Sequence, residues 1–269
     1  MALPFHKLLA SIGGGNAGLS AIAKYGASLW LPGVTAYEDN HVASDGSGGL
    51  AVANDYIGYA KDINSSKNAI QATTGFKPQL KQSGSVYYWQ GDAVDDAFEI
   101  TAVSPVSGGA VDGFFSIAFR MHLTTVAASK YLITTSNGTT DQLLVYTTVN
   151  ERVRAYCRNS AGSAAAAINS DIRTNGELLV ATLYLQSSTL FLRVRGSINP
   201  LSTASVAVTG GIDAFSKMAF IAGYVGPSTL GAFWPERVFG AVAGNGTPTA
   251  DEFSAIENTL AAKAGFSLV

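Results

Sequence analysis

Between Phe114 and Arg195 short strand-like runs alternate with turn clusters at close, regular spacing, and few architectures accept that rhythm. The runs cover 114–121, 130–134, 142–146, 153–158, 177–185 and 189–195, and are rich in β-branched, aromatic and other apolar residues. Between them stand Asn137-Gly138, the stretch from Asn159 to Gly162, Asn175-Gly176 and Asn199-Pro200, which supply the turns that hairpins need. Leu190, Leu192 and Val194 alternate with Phe191, Arg193 and Arg195, so one strand face is apolar while the other ends in charge. The pattern predicts an all-β antiparallel sandwich.

Composition narrows the reading. Charged residues are 13% of 269 and glycines number 29, which favours packed strands and tight turns over solvated helices. The length suits one sandwich of roughly 200–250 residues with a short extension. A net charge of -2 offers no cationic field to a phosphate backbone, so no nucleic-acid partner is expected. No run approaches the roughly 20 apolar residues of a membrane-spanning helix, and no membrane insertion is expected. Pro4, Lys7 and Gly13-Gly14-Gly15 interrupt any secretory core, and the chain is read as made in the cytoplasm. Cys157, the single cysteine, excludes an internal disulfide and reads as a buried small thiol.

The two ends depart from the strand rhythm. Phe5, Leu8, Leu9 and Ile12 are spaced for one helical face, and a second helical run spans 19–25. Residues 1–34 are therefore read as an attachment arm, with 35–269 as the sandwich. Near the other end a strand is expected over 234–242. After it, Thr249 and Glu252 fit a capping box, and Phe253, Ile256 and Leu260 share a helical face before Gly265. This helix is expected to dock on the sandwich.

Two segments carry a family resemblance. One begins at Asn64-Ser65-Ser66-Lys67-Asn68, continues through Lys77-Pro78-Gln79-Leu80 and ends at Asp92-Ala93-Val94-Asp95-Asp96; the other is the stretch from Thr247 to Gly265. Together they resemble the concanavalin-A-like, laminin-G-like jelly-roll module of bacteriophage virion proteins, over roughly residues 30–269. The family wording has Ser-Gly-Asn-Gly-Asn in the first turn and Asp-Gly before the paired aspartates, so two turns here depart from it. The resemblance implies a non-enzymatic virion protein: a head-decoration, collar or tail-fibre subunit that assembles with other capsid or tail proteins and with its own copies. A carbohydrate-binding adhesin, touching host surface glycan, is the alternative, and a glycan depolymerase comes third.

Candidate chemistry is sparse. Asp92, Asp95 and Asp96 form the densest carboxylate group with Glu99; turn formation is the first reading, calcium binding the second and glycoside hydrolysis the third. No other cofactor is expected. The glycines from Gly13 to Gly18 satisfy a dinucleotide pattern without the β/α alternation it requires, so they read as a hinge. His6, His41 and His122 lie apart, with no zinc-binding spacing. Tyr87, Tyr88, Trp89, Tyr224, Phe233 and Trp234 could stack on sugar rings, with Trp89 and Trp234 as the principal candidates, although most aromatics of a sandwich are expected in the core and alternation puts only every second one outside.

Overall fold

A computed structural model describes residues 16–35, 37–64, 67–101, 112–122, 130–136, 141–148, 150–159, 164–210, 217–224 and 229–269. Two antiparallel sheets face each other. The first runs Ser202–Ala207, Thr189–Gly196, Leu178–Gln186, Gly113–Arg120, Arg237–Asn245, Val86–Gln90 and Gln79–Ser83, with Ser28–Trp30 paired to Arg237–Asn245. The second runs Ala164–Asn169, Val153–Arg158, Asp141–Thr147, Lys130–Ser136, Lys217–Phe220, Phe98–Thr101, Ala69–Ile70, Tyr59–Ala60 and Asn40–His41. The chain is thus an all-β sandwich.

Period-2 alternation explains how the first sheet is buried on both faces. In Gly113–Arg120, Phe115, Ile117 and Phe119 enter the core between the sheets, while Phe114 and Ala118 face a second apolar layer outside. Such a strand reads as a continuous apolar run because neither side meets water. Ser116 interrupts the run; its hydroxyl pairs with Thr182 on the neighbouring strand at 2.9 Å. Two helices, Asn16–Lys24 and Ala250–Lys263, supply the outer layer through Leu19, Ile22, Phe253, Ile256 and Leu260.

The C-terminal helix starts as its sequence requires. Thr249 Oγ1 accepts the Glu252 N–H, and the Glu252 carboxylate accepts the Thr249 N–H. Lys24 Nζ and the Tyr25 hydroxyl also donate to Glu252, at 2.6 and 2.8 Å, and so tie the two helices together. The hydrogen bonds from Lys24, Thr249 and Tyr25 hold the Glu252 carboxyl down at about 2. Gly18 sits where the helices cross; a β-carbon there would run into Thr259 and the Ala255 carbonyl, so the small residue sets the close approach.

Three expectations change. The boundary at 34 falls inside the body: Ser28–Trp30 is a strand, Leu29 and Trp30 are fully buried, and the helix from Asn16 packs on the C-terminal helix. Asp62 holds this segment, accepting the Leu29 N–H at 3.0 Å, and Trp30 Nε1 donates to the Lys67 carbonyl at 2.8 Å. Phe5, Leu8, Leu9 and Ile12 lie outside the described residues. The closing strand is Arg237–Asn245 and not 234–242, because Pro235 has no N–H to give a ladder. Finally, the charged face of Thr189–Gly196 is covered. Arg193 lies under the C-terminal helix, where its Nε and Nη2 donate to the buried Glu257 carboxylate at 2.9 and 3.1 Å.

Candidate functional site

Both tryptophans proposed for sugar stacking are core residues. Trp89 and Trp234 are fully buried. Alternation along Val86–Gln90 sends Trp89 between the sheets, 5.2 Å from the Phe98 ring and 5.6 Å from Phe220, with Nε1 donating to Asn40 at 2.8 Å. Trp234 meets Phe119 edge-on at 5.6 Å. Neither offers a ring face to a ligand. Cys157 is buried as expected, and burial pushes its thiol up to about 12.

The aspartates form a corner between Val86–Gln90 and Phe98–Thr101. Asp92 Oδ1 accepts the N–H groups of Val94 and Asp95 at 2.8 and 3.2 Å. Ala93 has φ +68, the left-handed region that glycine adopts most easily. Asp96 is buried. Burial, with the Asp92 and Asp95 carboxylates adding to it, raises the Asp96 carboxyl to about 7, against the pull of a hydrogen bond from the Asp92 backbone. Oxygens of the three carboxylates lie within 4.8 Å of one another. Calcium takes 6–8 oxygen ligands, and this corner already engages Asp92 and Asp96 with backbone N–H groups.

A pH test follows. The neutral form of Asp96 is favoured in the folded chain, so its contribution is intact below the unfolded carboxyl value near 4 and is lost as pH rises towards 7. Asp96→Asn should therefore gain thermal stability relative to the parent at pH 8 compared with pH 4.5, and EDTA should leave both melting temperatures unchanged. Equal differences at the two pH values, or a melting temperature restored by calcium after chelation, would remove this account.

An open cleft of about 800 Å³ lies beside the corner, on the outer face of the second sheet. Ile70 stands opposite Glu99 on the neighbouring strand, and the short turn Thr74–Phe76 brings Phe76 to the rim with 38% of its surface exposed. Phe233 forms part of the facing wall, next to the small hairpin of Gly223–Tyr224 and Leu230–Gly231. Thr73, Asp95 and Glu99 place polar groups in the same cleft. Gln71 stiffens the floor: its side chain donates to the Ala97 carbonyl at 3.1 Å and accepts the Thr73 N–H at 3.0 Å. On the other side of the aspartate corner, a smaller recess of about 400 Å³ has Tyr56 on its wall and Asp92 and Asp96 on its floor.

Sequence reading missed Phe76 and Tyr56. The signal was present: each is an aromatic in a turn-rich segment, where no strand alternation turns it inward. Three elements far apart in sequence, around 70–76, 94–101 and 229–233, form the cleft, and no local pattern joins them.

No protein-family model and no curated protein sequence matches the chain. Among solved structures it is similar to an arabinofuranosidase complexed with arabinofuranosyl-alpha-1,2-xylobiose, with 11% identity, a TM-score of 0.62, and 91% of this chain and 64% of that one covered. A GH54 α-L-arabinofuranosidase soaked with a cyclic sulfate inhibitor gives 10% identity, a TM-score of 0.60, and 92% and 65% coverage. The chain thus spans slightly less than two thirds of these two enzymes. The CBM40 of the Ruminococcus gnavus IT-sialidase, bound to alpha2,3 sialyllactose, is more distant at 13% identity and a TM-score of 0.42, over 59% of this chain and 97% of that one. At such identities the likeness is one of fold.

Proposed function

We propose that the chain is a non-enzymatic recognition module that binds carbohydrate in the cleft over its second sheet and is displayed on a phage particle. The cleft carries the sugar reading. Phe76 and Phe233 line it with aromatic rings, and Thr73, Asp95 and Glu99 stand beside them, a combination suited to a ring with one C–H face and hydroxyls at its edge. The two arabinofuranosidases of similar fold are by name carbohydrate-acting proteins, which is in keeping with this reading.

The corner supports binding without hydrolysis, because Asp92 and Asp96 accept backbone N–H groups within their own turn.

The particle setting rests on the family resemblance, whose closing helix and capping box are present and docked. Attachment to capsid or tail proteins, or to further copies, falls in this reading to the segment bearing Phe5, Leu8, Leu9 and Ile12. A glycan array probed with the intact chain is expected to show binding to at least one glycan class, and the bound glycan should release no reducing sugar. An array without any binding by folded protein would reject the sugar reading, and release of reducing ends would make the chain an enzyme.

A further inference from the structure

The cleft and the smaller recess are built from the same two elements. Thr73 and Phe76 line the cleft, while Thr74 and Gly75, between them in the same turn, line the recess. At the aspartate corner Val94 and Asp95 line the cleft, and Asp92 and Asp96 the recess. The Ala97 N–H donates to the Phe76 carbonyl at 3.0 Å and so ties the turn to the corner. A carboxylate oxygen of Asp95, in the cleft, lies within 4.8 Å of one from each of Asp92 and Asp96, in the recess. The two cavities are thus a side chain's width apart at the corner.

The exposed aromatics single out this pair of cavities. Among the aromatic side chains described, only Phe76, in the cleft, and Tyr56, in the recess, are exposed, Tyr56 with 54% of its surface. Tyr56 belongs to neither apolar layer, so its ring adds little to the fold. Backbone holds it in place: Tyr56 bridges to Gln79, and the Ile57 N–H donates to the Pro78 carbonyl at 2.8 Å. The rest of the recess is polar. Gln90 Nε2 donates to the Gly91 and Pro235 carbonyls at 3.0 and 2.9 Å, which takes both its hydrogens and leaves its oxygen for a ligand. Gln79 Nε2 donates to the Asn54 carbonyl at 2.7 Å and keeps one hydrogen. With Asp92 and Asp96, these groups match hydroxyls at the edge of a ring whose C–H face meets Tyr56.

We infer that cleft and recess are adjoining subsites of one groove, that an extended glycan chain crosses the aspartate corner between them, and that Tyr56 is the aromatic contact of the second subsite. The inference rests on the sugar reading above and adds the form of the ligand: an internal stretch of a polysaccharide in place of a single terminal sugar.

Calorimetric titration of the intact chain with oligosaccharides of two to six residues, cut from the polysaccharide that binds on the array, tests it. Linked rings make the second contact intramolecular, so affinity should rise about tenfold or more once the oligomer is long enough to enter both subsites. Tyr56→Ala should melt with the parent, bind the shortest oligomer as the parent does and lose the gain with length, whereas Tyr56→Phe keeps the ring and should keep the gain. Phe76→Ala, in the first subsite, should weaken every length. Affinity that is flat with length in the parent, or a Tyr56→Ala chain that retains the full gain, overturns this inference and leaves the sugar reading standing. An empty array removes the sugar reading, and this inference with it.

Discussion

A chain ending at Gly246 is expected to aggregate on expression. The cut removes Ala250–Lys263, and with it Phe253, Ile256 and Leu260, all buried against the first sheet. Each contributes about 1.5–3 kcal/mol by burial, so the three together match a large part of the roughly 5–15 kcal/mol that stabilises a whole domain. The cut also uncovers Phe114, Val180, Phe239 and Val242 on the sheet and Leu19 and Ile22 on the first helix, a contiguous apolar patch of the kind that drives association. Soluble fraction and thermal melting measure the effect. A truncated chain that stays soluble and melts with the parent would show that the helix is not part of the body.

Breaking the Arg193–Glu257 pair by a single substitution should be strongly destabilising. Glu257 has no exposed surface, and Arg193 is nearly as enclosed. The fork is bidentate, Arg195 Nη1 lies 3.6 Å from the same carboxylate, and Ser254 takes a further bond from Arg193 at 3.3 Å. Removing one member leaves a buried charge without its partner, which costs about 3–5 kcal/mol, although the intact pair contributes far less over an apolar pair of the same volume. Glu257→Ala should therefore lower the denaturant midpoint strongly at an unchanged slope, and Arg193→Met with Glu257→Leu should recover most of the loss. A loss below about 1 kcal/mol in Glu257→Ala would place the pair among ordinary surface contacts.

These two effects also mark what the sequence could and could not disclose. Strands such as Gly113–Arg120 and Thr189–Gly196 were legible because side-chain alternation is local. The closing helix was legible for the same reason, since Thr249, Glu252 and Phe253 lie within five positions of one another. Arg193 and Arg195 read as a water-facing edge because the carboxylate that covers them is 64 positions away from Arg193. Ala164–Asn169 and Ser202–Ala207 carry small side chains with little strand signal, and their neighbours in the sheets recruit them. Trp89 and Trp234 stood as candidate platforms beside the commoner core reading, because aromatic type says nothing about which face it takes, and both are core. Asp92 was legible as a turn residue, whereas the burial that raises Asp96 follows from the packing around the corner.

Recognition of sugar on the outer face of the second sheet is the central claim, and Phe76 is its most exposed aromatic contact. Titration of the intact chain and of Phe76→Ala with an oligosaccharide that binds on the array tests it most directly. Phe76 lies on the rim outside both apolar layers, so the variant should melt with the parent while binding about tenfold more weakly, the loss of roughly 1.4 kcal/mol. Equal affinity in the two proteins would contradict the account and move the binding surface elsewhere on the molecule.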